Sequence, residues 1–221
     1  MGAYTYERLD KNNAVLVILD MQEGLFSLAR DFDNVQYRNA IYAHAEIGKL
    51  FNLPVIMSSS SETGPNGPLP DEFLELYPNV TVIKRLGEVN AWDNAEFQEA
   101  VKATGKTQFI VAGIVTDVCT AFLALSLRDA GYSVFANHEA SGTTTIDIRE
   151  NANDRMRNAG VQLLSYFAIV CELMRDWRNT PGAAEVFPIL DRYYPAYGMV
   201  ARGHRAAIQT GVIQPGEDVL P

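Results

Sequence analysis

Gln108-Phe109-Ile110-Val111-Ala112-Gly113-Ile114-Val115-Thr116-Asp117-Val118-Cys119-Thr120 decides how the rest of the chain is read. A short apolar run ends at Gly113, and six residues later Cys119 opens an apolar segment with helical spacing. That order predicts a buried strand, a tight loop and a helix, with one thiol at the carboxyl end of the strand. Free backbone N–H groups and the helix dipole at such a point favour a thiolate and can stabilise a developing oxyanion. A lone cysteine is more often a packing residue, so the question becomes whether an acid/base partner and a cation exist to serve it.

Outward from this stretch the same pattern repeats. Residues 14–19 form a continuous apolar, β-branched run that ends at Asp20. Further strands are expected at 53–58, 81–84, 132–136 and 161–165, with helices at 34–51, 96–104, 119–130, 146–158 and around 168–177. Residues 59–70, rich in Ser, Gly and Pro, read as a loop. Near-uniformly apolar strands that alternate with helices predict a three-layer α/β domain, its mainly parallel sheet covered on both faces. Ligand chemistry in such sheets collects at the carboxyl ends of the strands. Asp20, Lys84 and the Cys119 loop each follow directly on an expected strand. Residues 1–177 are taken as the domain. Residues 178–221 are taken as an arm lying on it or on a neighbouring subunit, with Phe187, Tyr193 and Tyr194 as candidate interface anchors.

At 221 residues the chain is long enough for one well-cored domain and an extension. Its formal net charge of −9 argues against a nucleic-acid partner or an anionic membrane surface. Two cysteines, Cys119 and Cys171, are too few for a disulfide framework and suit a reducing cytoplasm. The polar amino terminus does not read as a signal peptide, and no apolar run reaches membrane-spanning length. No Gly-x-Gly-x-x-Gly follows the first strand and no phosphate-loop signature occurs, so dinucleotide and nucleotide chemistry are disfavoured. His44, His138 and His204 show no paired spacing, and neither a metal nor another cofactor is expected. Cys171 sits in an apolar helical pattern and reads as core.

The order Val17-Ile18-Leu19-Asp20-Met21-Gln22, then the Lys84 strand end, then Gly113 to Cys119, then Ala130-Gly131-Tyr132 resembles the isochorismatase-like cysteine hydrolase family. The likeness covers roughly residues 14–165 and is narrower toward its YcaC-type hydrolases, whose long carboxyl-terminal arm this chain shares. The resemblance implies Cys119 as nucleophile and Asp20 as the group that takes and returns its proton. It selects Lys84 as the inward cation, although on sequence grounds Lys84 reads as a surface lysine beside Arg85. It implies a cis peptide at Ile114–Val115 that turns the Val115 N–H toward an oxyanion hole shared with the Cys119 N–H. Metal-binding nicotinamidases carry Asp-x-His after the second strand, where this chain has Ser58-Ser59-Ser60-Ser61-Glu62. Gln22, Leu25, Asn90 and Trp92 are candidate pocket residues.

The expected chemistry is thioester hydrolysis of a small amide or related C–N carbonyl compound by a homo-oligomer, octameric by likeness to the subgroup. Three other readings stay open. Cys119 could pair with His138 as a dyad, it could be a redox-reactive thiol, or the fold could be a silent oligomeric binding module.

Overall fold

The computed structural model describes residues 6–212. The first residues of the amino-terminal reading (1–5) and the last of the arm (213–221) lie outside the described residues. The chain alternates β1 (Ala14–Leu19), α1 (Asn34–Leu50), β2 (Val55–Ser60), α2 (Asp71–Leu76), β3 (Val82–Arg85), α3 (Ala95–Ala103) and β4 (Gln108–Gly113). It continues through α4 (Ala121–Asp129), β5 (Ser133–Asn137), α5 (Ile146–Asn158), β6 (Gln162–Leu164), α6 (Tyr166–Met174), α7 (Ala183–Tyr193) and α8 (Pro195–Gln209). Helix starts are fixed by side chains that accept otherwise orphaned N–H groups: Asp33 for α1, Asn94 for α3, Thr145 for α5 and Ser165 for α6.

All six strands are parallel, in the order β3-β2-β1-β4-β5-β6. β1 and β4 are buried at every position, as strands covered on both faces must be. Successive side chains divide between two cores. Ala14, Leu16 and Ile18 face the layer of α1, α6 and α7, while Val15, Val17 and Leu19 face α3 and α4. The chain runs outward from β1 to β3, returns to β4 beside β1, and then runs outward the other way. That reversal opens a crevice beyond the carboxyl ends of β1 and β4, the usual ligand position in such sheets. Gly113 is required there, because a Cβ would lie 2.2 Å from the Leu19 carbonyl oxygen across the pair.

The described part of the arm packs on this chain's own domain. It is a helical hairpin, α7 and α8, whose Ala183, Val186, Phe187, Leu190 and Ala201 are buried in the same core as α1. No break in packing marks residue 177. Phe187 is therefore not an exposed interface anchor, since it is buried against Trp177 with ring centroids 5.2 Å apart. Tyr193 stacks on Tyr42 and Tyr194 on Phe167, so both rings also serve this chain's own packing. No helix among the described residues is long and apolar enough to cross a membrane.

Candidate active site

Asp20 follows the last residue of β1 and is fully buried, with φ of 52°. That left-handed conformation, which Asp tolerates better than most residues, ends the strand alternation and leaves the carboxylate at the β1/β4 crevice. Its Oδ2 accepts a hydrogen bond from Arg85 Nη2 within a buried ion pair. Arg85 Nε donates to Ser58 Oγ at 3.0 Å, and Nη1 donates to the carbonyls of Glu88 and of Val89, the latter at 3.2 Å. Ser58 in turn donates to the Ile83 carbonyl at 3.1 Å. The guanidinium is thus held at three corners, the geometry that Arg's fixed fork supports and an ammonium does not.

This arrangement corrects the expectation that Lys84 is the inward cation. The Lys84 side chain is 65% exposed, and its ammonium pairs with Glu62 at 2.7 Å. The cause is the two-residue period of a strand. Ile83 faces the α3/α4 core, so Arg85, on the same side, faces inward and Lys84 faces away. An Asp-Lys-Cys triad is not assembled; the buried Asp20–Arg85 pair meets the half-buried Cys119 instead. Val82 and Ile83 are both apolar and pack on opposite cores, so the sequence did not show which face led to Asp20, and Ser58 is the supporting residue that sequence reasoning missed.

Cys119 lies in a wide π-type turn, Thr116–Thr120, that leads into α4. Such turns recur at functional sites. The Ile114–Val115 peptide is cis, and the Val115 N–H acts on the Cys119 sulfur as a backbone hydrogen-bond donor. Burial pushes the thiol up to about 12, and the neighbouring Asp20 carboxylate adds to that shift. The environment therefore holds a protonated thiol at rest, opposite to the lowering expected from a helix start and an ammonium. Asp20 is itself raised by burial, an effect that Arg85 opposes. Each of the pair shifts the other, and Asp20 Oδ1 has no hydrogen bond of ordinary geometry among the described residues. The Oγ1 atoms of Thr116 and Thr120, in the same turn, are likewise buried without hydrogen-bond partners among the described residues.

The candidate pocket residues separate. Gln22 is fully buried and is a clamp: its amide donates to the Ser60 and Gly67 carbonyls and accepts from Ser60 N at 2.8 Å. The small cleft it borders, about 160 Å³ on the α1 side, is lined by none of Asp20, Arg85 or Cys119. Asn90 caps the Trp92 N–H and donates to Ser126 Oγ of α4 at 2.9 Å, and Trp92 packs edge-on to Tyr132. Both follow directly on the carbonyls that hold Arg85. Leu25 starts a short turn and packs toward the α1 core. His138 is half-buried and responds to Glu139, Arg149 and Arg157 rather than to Cys119, so the geometry does not favour a Cys–His dyad.

The profile of the Isochorismatase domain matches residues 14–166. The chain is 49% identical over 183 residues to the probable hydrolase YcaC of Escherichia coli strain K12, spanning 82% of this chain and 88% of that protein. The structure of YcaC from Pseudomonas aeruginosa with hexane-2,5-diol and covalent acrylamide superposes with a TM-score of 0.88 at 47% identity. That match covers 91% of this chain and 98% of the other. The 1.8 Å structure of E. coli YcaC, an octameric hydrolase of unknown specificity, gives 0.89 at 44% identity, covering 92% and 99%. With a domain match over more than half its length and near-half identity to YcaC, the chain belongs to the isochorismatase-like hydrolase family.

Proposed function

We propose that this chain is a cysteine hydrolase in which Cys119, Asp20 and Arg85 open a small amide or related C–N carbonyl through a thioester. The observation that carries the reading is the meeting of thiol, carboxylate and guanidinium at the β1/β4 crevice, with one carboxylate oxygen held by Arg85 and the other unpartnered. Asp20 Oδ1 takes the proton from Sγ, and the sulfur electron pair forms a C–S bond to the carbonyl carbon. The displaced carbonyl pair becomes an oxyanion, held by the Val115 and Cys119 N–H groups. Collapse breaks the C–N bond, and the amine leaves with the proton from Asp20. Water then gives a proton to Asp20 and adds to the thioester; the C–S bond breaks and the thiol is restored. The Arg85 guanidinium beside Asp20 opposes the effect of burial and keeps that carboxyl able to ionise.

The P. aeruginosa relative carries acrylamide covalently, and acrylamide is an electrophile that thiolates attack, which supports a reactive thiol in this branch. Assembly is proposed as a homo-oligomer, an octamer as in the E. coli relative. A disulfide-forming redox role is less well supported, because Cys119 packs with the α3/α4 core and Cys171 with the α1/α6 core, on opposite faces of the sheet.

The test is intact-protein mass spectrometry after incubation with acrylamide and a panel of small amides, with the modified peptide sequenced. Acrylamide labelling at Cys119, an acyl adduct from at least one amide, and loss of both in Cys119→Ala are expected. In Asp20→Asn the acyl adduct should form far more slowly, because the group that takes the thiol proton and returns it to the leaving amine is gone. If no electrophile marks Cys119, the hydrolase reading fails.

A further inference from the structure

Two residues before the nucleophile, Asp117 is tied to a loop on the far side of β4. Thr143 Oγ1 donates to Asp117 Oδ1 at 2.6 Å, a length typical of a hydroxyl bonded to a carboxylate. Thr143 is itself 1% exposed and fixed on every other polar atom. Its N–H donates to Asp31 Oδ1 at 2.8 Å, and its carbonyl accepts from Arg30 N at 2.8 Å and Asp31 N at 3.2 Å. Asp31 is held in turn by Arg149, whose Nη1 lies 3.3 Å from Oδ2 and whose guanidinium caps the Phe32 ring at 4.6 Å. The preceding Gly142 is wedged in place: a Cβ there would meet Ala29 Cβ at 2.5 Å and the Tyr37 ring at 2.9 Å. Its carbonyl accepts the Thr116 N–H at 3.0 Å. Residues 142–143 are thus a rigid post, and one hydroxyl reaches from it to the turn that carries the sulfur.

We propose that Thr143 is a positioning residue for Cys119, acting through Asp117 to hold the wide Thr116–Thr120 turn open so that the sulfur stays between Asp20 and the Val115 N–H. This rests on the reading of Cys119 as the nucleophile. A π-type turn has one residue more per turn than its α-helical alternative. Rotation into α-helical register would carry the residue 119 side chain around the axis and away from both partners. The part-buried Thr143–Asp117 bond opposes that rotation from outside the helix.

The experiment measures the second-order rate of acrylamide addition to Cys119 against pH by intact mass, in the full-length assembled protein. Thr143→Val should lower the rate about 10-fold, since small misplacements of reacting atoms have effects of this size, and Thr143→Ser should restore it. Asp117→Ala should lose as much, and Asp117→Ala with Thr143→Val no more than either alone, because both break one link. Thermal melts accompany every variant, so that a loss of folded protein is not read as a loss of reactivity. If Thr143→Val destabilises without slowing the folded fraction, or if the single losses multiply in the double variant, Thr143 is only a structural residue. Should Thr143→Val not fold, Asp117→Ala carries the same comparison. Failure of the wild type itself to react overturns the nucleophile reading and the positioning role with it.

Discussion

The sharpest consequence of the structure is that two adjacent basic residues should behave oppositely when their charge is removed. Arg85 is buried against Asp20 with three further hydrogen-bond acceptors, whereas Lys84 stands in solvent beside Glu62. In Arg85→Met, Asp20 keeps its burial and loses its counter-charge, and Ser58 Oγ and two carbonyls lose their donor. Breaking a buried pair from one side costs about 3–5 kcal/mol. For a chain of this length that corresponds to a melting point lower by roughly 6–20 °C. Lys84→Met removes an exposed pair worth about 0–1 kcal/mol. Arg85→Lys should fall between, because one ammonium cannot reach the carboxylate, the hydroxyl and both carbonyls at once.

The pH dependence gives the comparison a second axis. Burial already raises the Asp20 pKa above its unfolded value and Arg85 opposes the shift, so Arg85→Met raises it further. A raised carboxyl binds its proton more tightly when folded, so its contribution is fully present below the unfolded pKa and is lost as pH rises through the folded one. The stability gap between Arg85→Met and wild type should therefore be widest near neutrality and close toward acid pH, as Asp20 becomes protonated in both. Amide hydrolysis at neutral pH should fall by on the order of 10²–10⁴ in Arg85→Met, the usual worth of a positioned general base, and remain near wild type in Lys84→Met. Chemical denaturation at several pH values, with turnover of whichever amide forms the adduct, reads both. If Lys84→Met proves the damaging variant, or Arg85→Met keeps wild-type stability at neutral pH, the assignment of Arg85 is wrong.

Asp20→Asn should lower the pH at which Cys119 is alkylated by iodoacetamide from its burial-raised value near 12. An unchanged or higher midpoint would mean the carboxylate does not act on the sulfur. Gln22→Ala should cost about 1–3 kcal/mol by orphaning Ser60 N and the Gly67 carbonyl, the Ser60 carbonyl keeping its bond from Asn66, with the Cys119 alkylation rate of the folded protein little changed. A large rate loss without destabilisation would return Gln22 to the substrate pocket. His44 is buried between the Val17 carbonyl and Asn137, and burial lowers it to about 4. The unfolded chain then binds the proton first, so wild type should lose roughly 3 kcal/mol as pH falls from about 6.5 to 4. That slope should be absent from denaturation curves of any folded His44→Gln protein; if it survives there, the acid limb has another source.

The sheet was legible because its strands are buried on both faces, so each appears as an unbroken apolar run with no competing pattern. β1 falls on residues 14–19 as expected, and the other five strands lie within two residues of expectation at each end. The helical hairpin after residue 177 was not legible, and the reason is physical. Pro188 inside α7, Pro195 at the start of α8 and Gly198 within it read as chain breakers. In the fold Pro195 sits in the first turn, where its missing N–H costs nothing. Gly198 is the point of closest approach, since a Cβ there would lie 2.3 Å from Asp191 Oδ1. What punctuates a sequence is here what lets two helices touch.

At the site, the sequence located the three strand ends but not the hand of one of them. Alternation alone could not choose between Lys84 and Arg85, because Val82 and Ile83 are both apolar and pack on opposite faces of the sheet, and Lys84 was favoured by resemblance to a lysine-bearing motif. The reversal is chemically informative beyond the correction. An ammonium can lose its proton when buried, and a site built on it has three coupled titrating groups. A guanidinium does not titrate in the working range, so Asp20 and Cys119 exchange one proton beside a fixed charge. Both members of that pair are pushed upward by burial, which keeps the thiol neutral and the carboxylate basic until a carbonyl arrives to take the sulfur's electrons. Reactivity toward an amide then depends on Asp20 taking the proton as the sulfur attacks rather than on a standing thiolate. Wild-type labelling by a neutral electrophile should accordingly rise across the whole alkaline range, whereas amide turnover, which routes the proton through Asp20, should level off at lower pH than labelling does. Parallel pH profiles for the two reactions would contradict that division of roles.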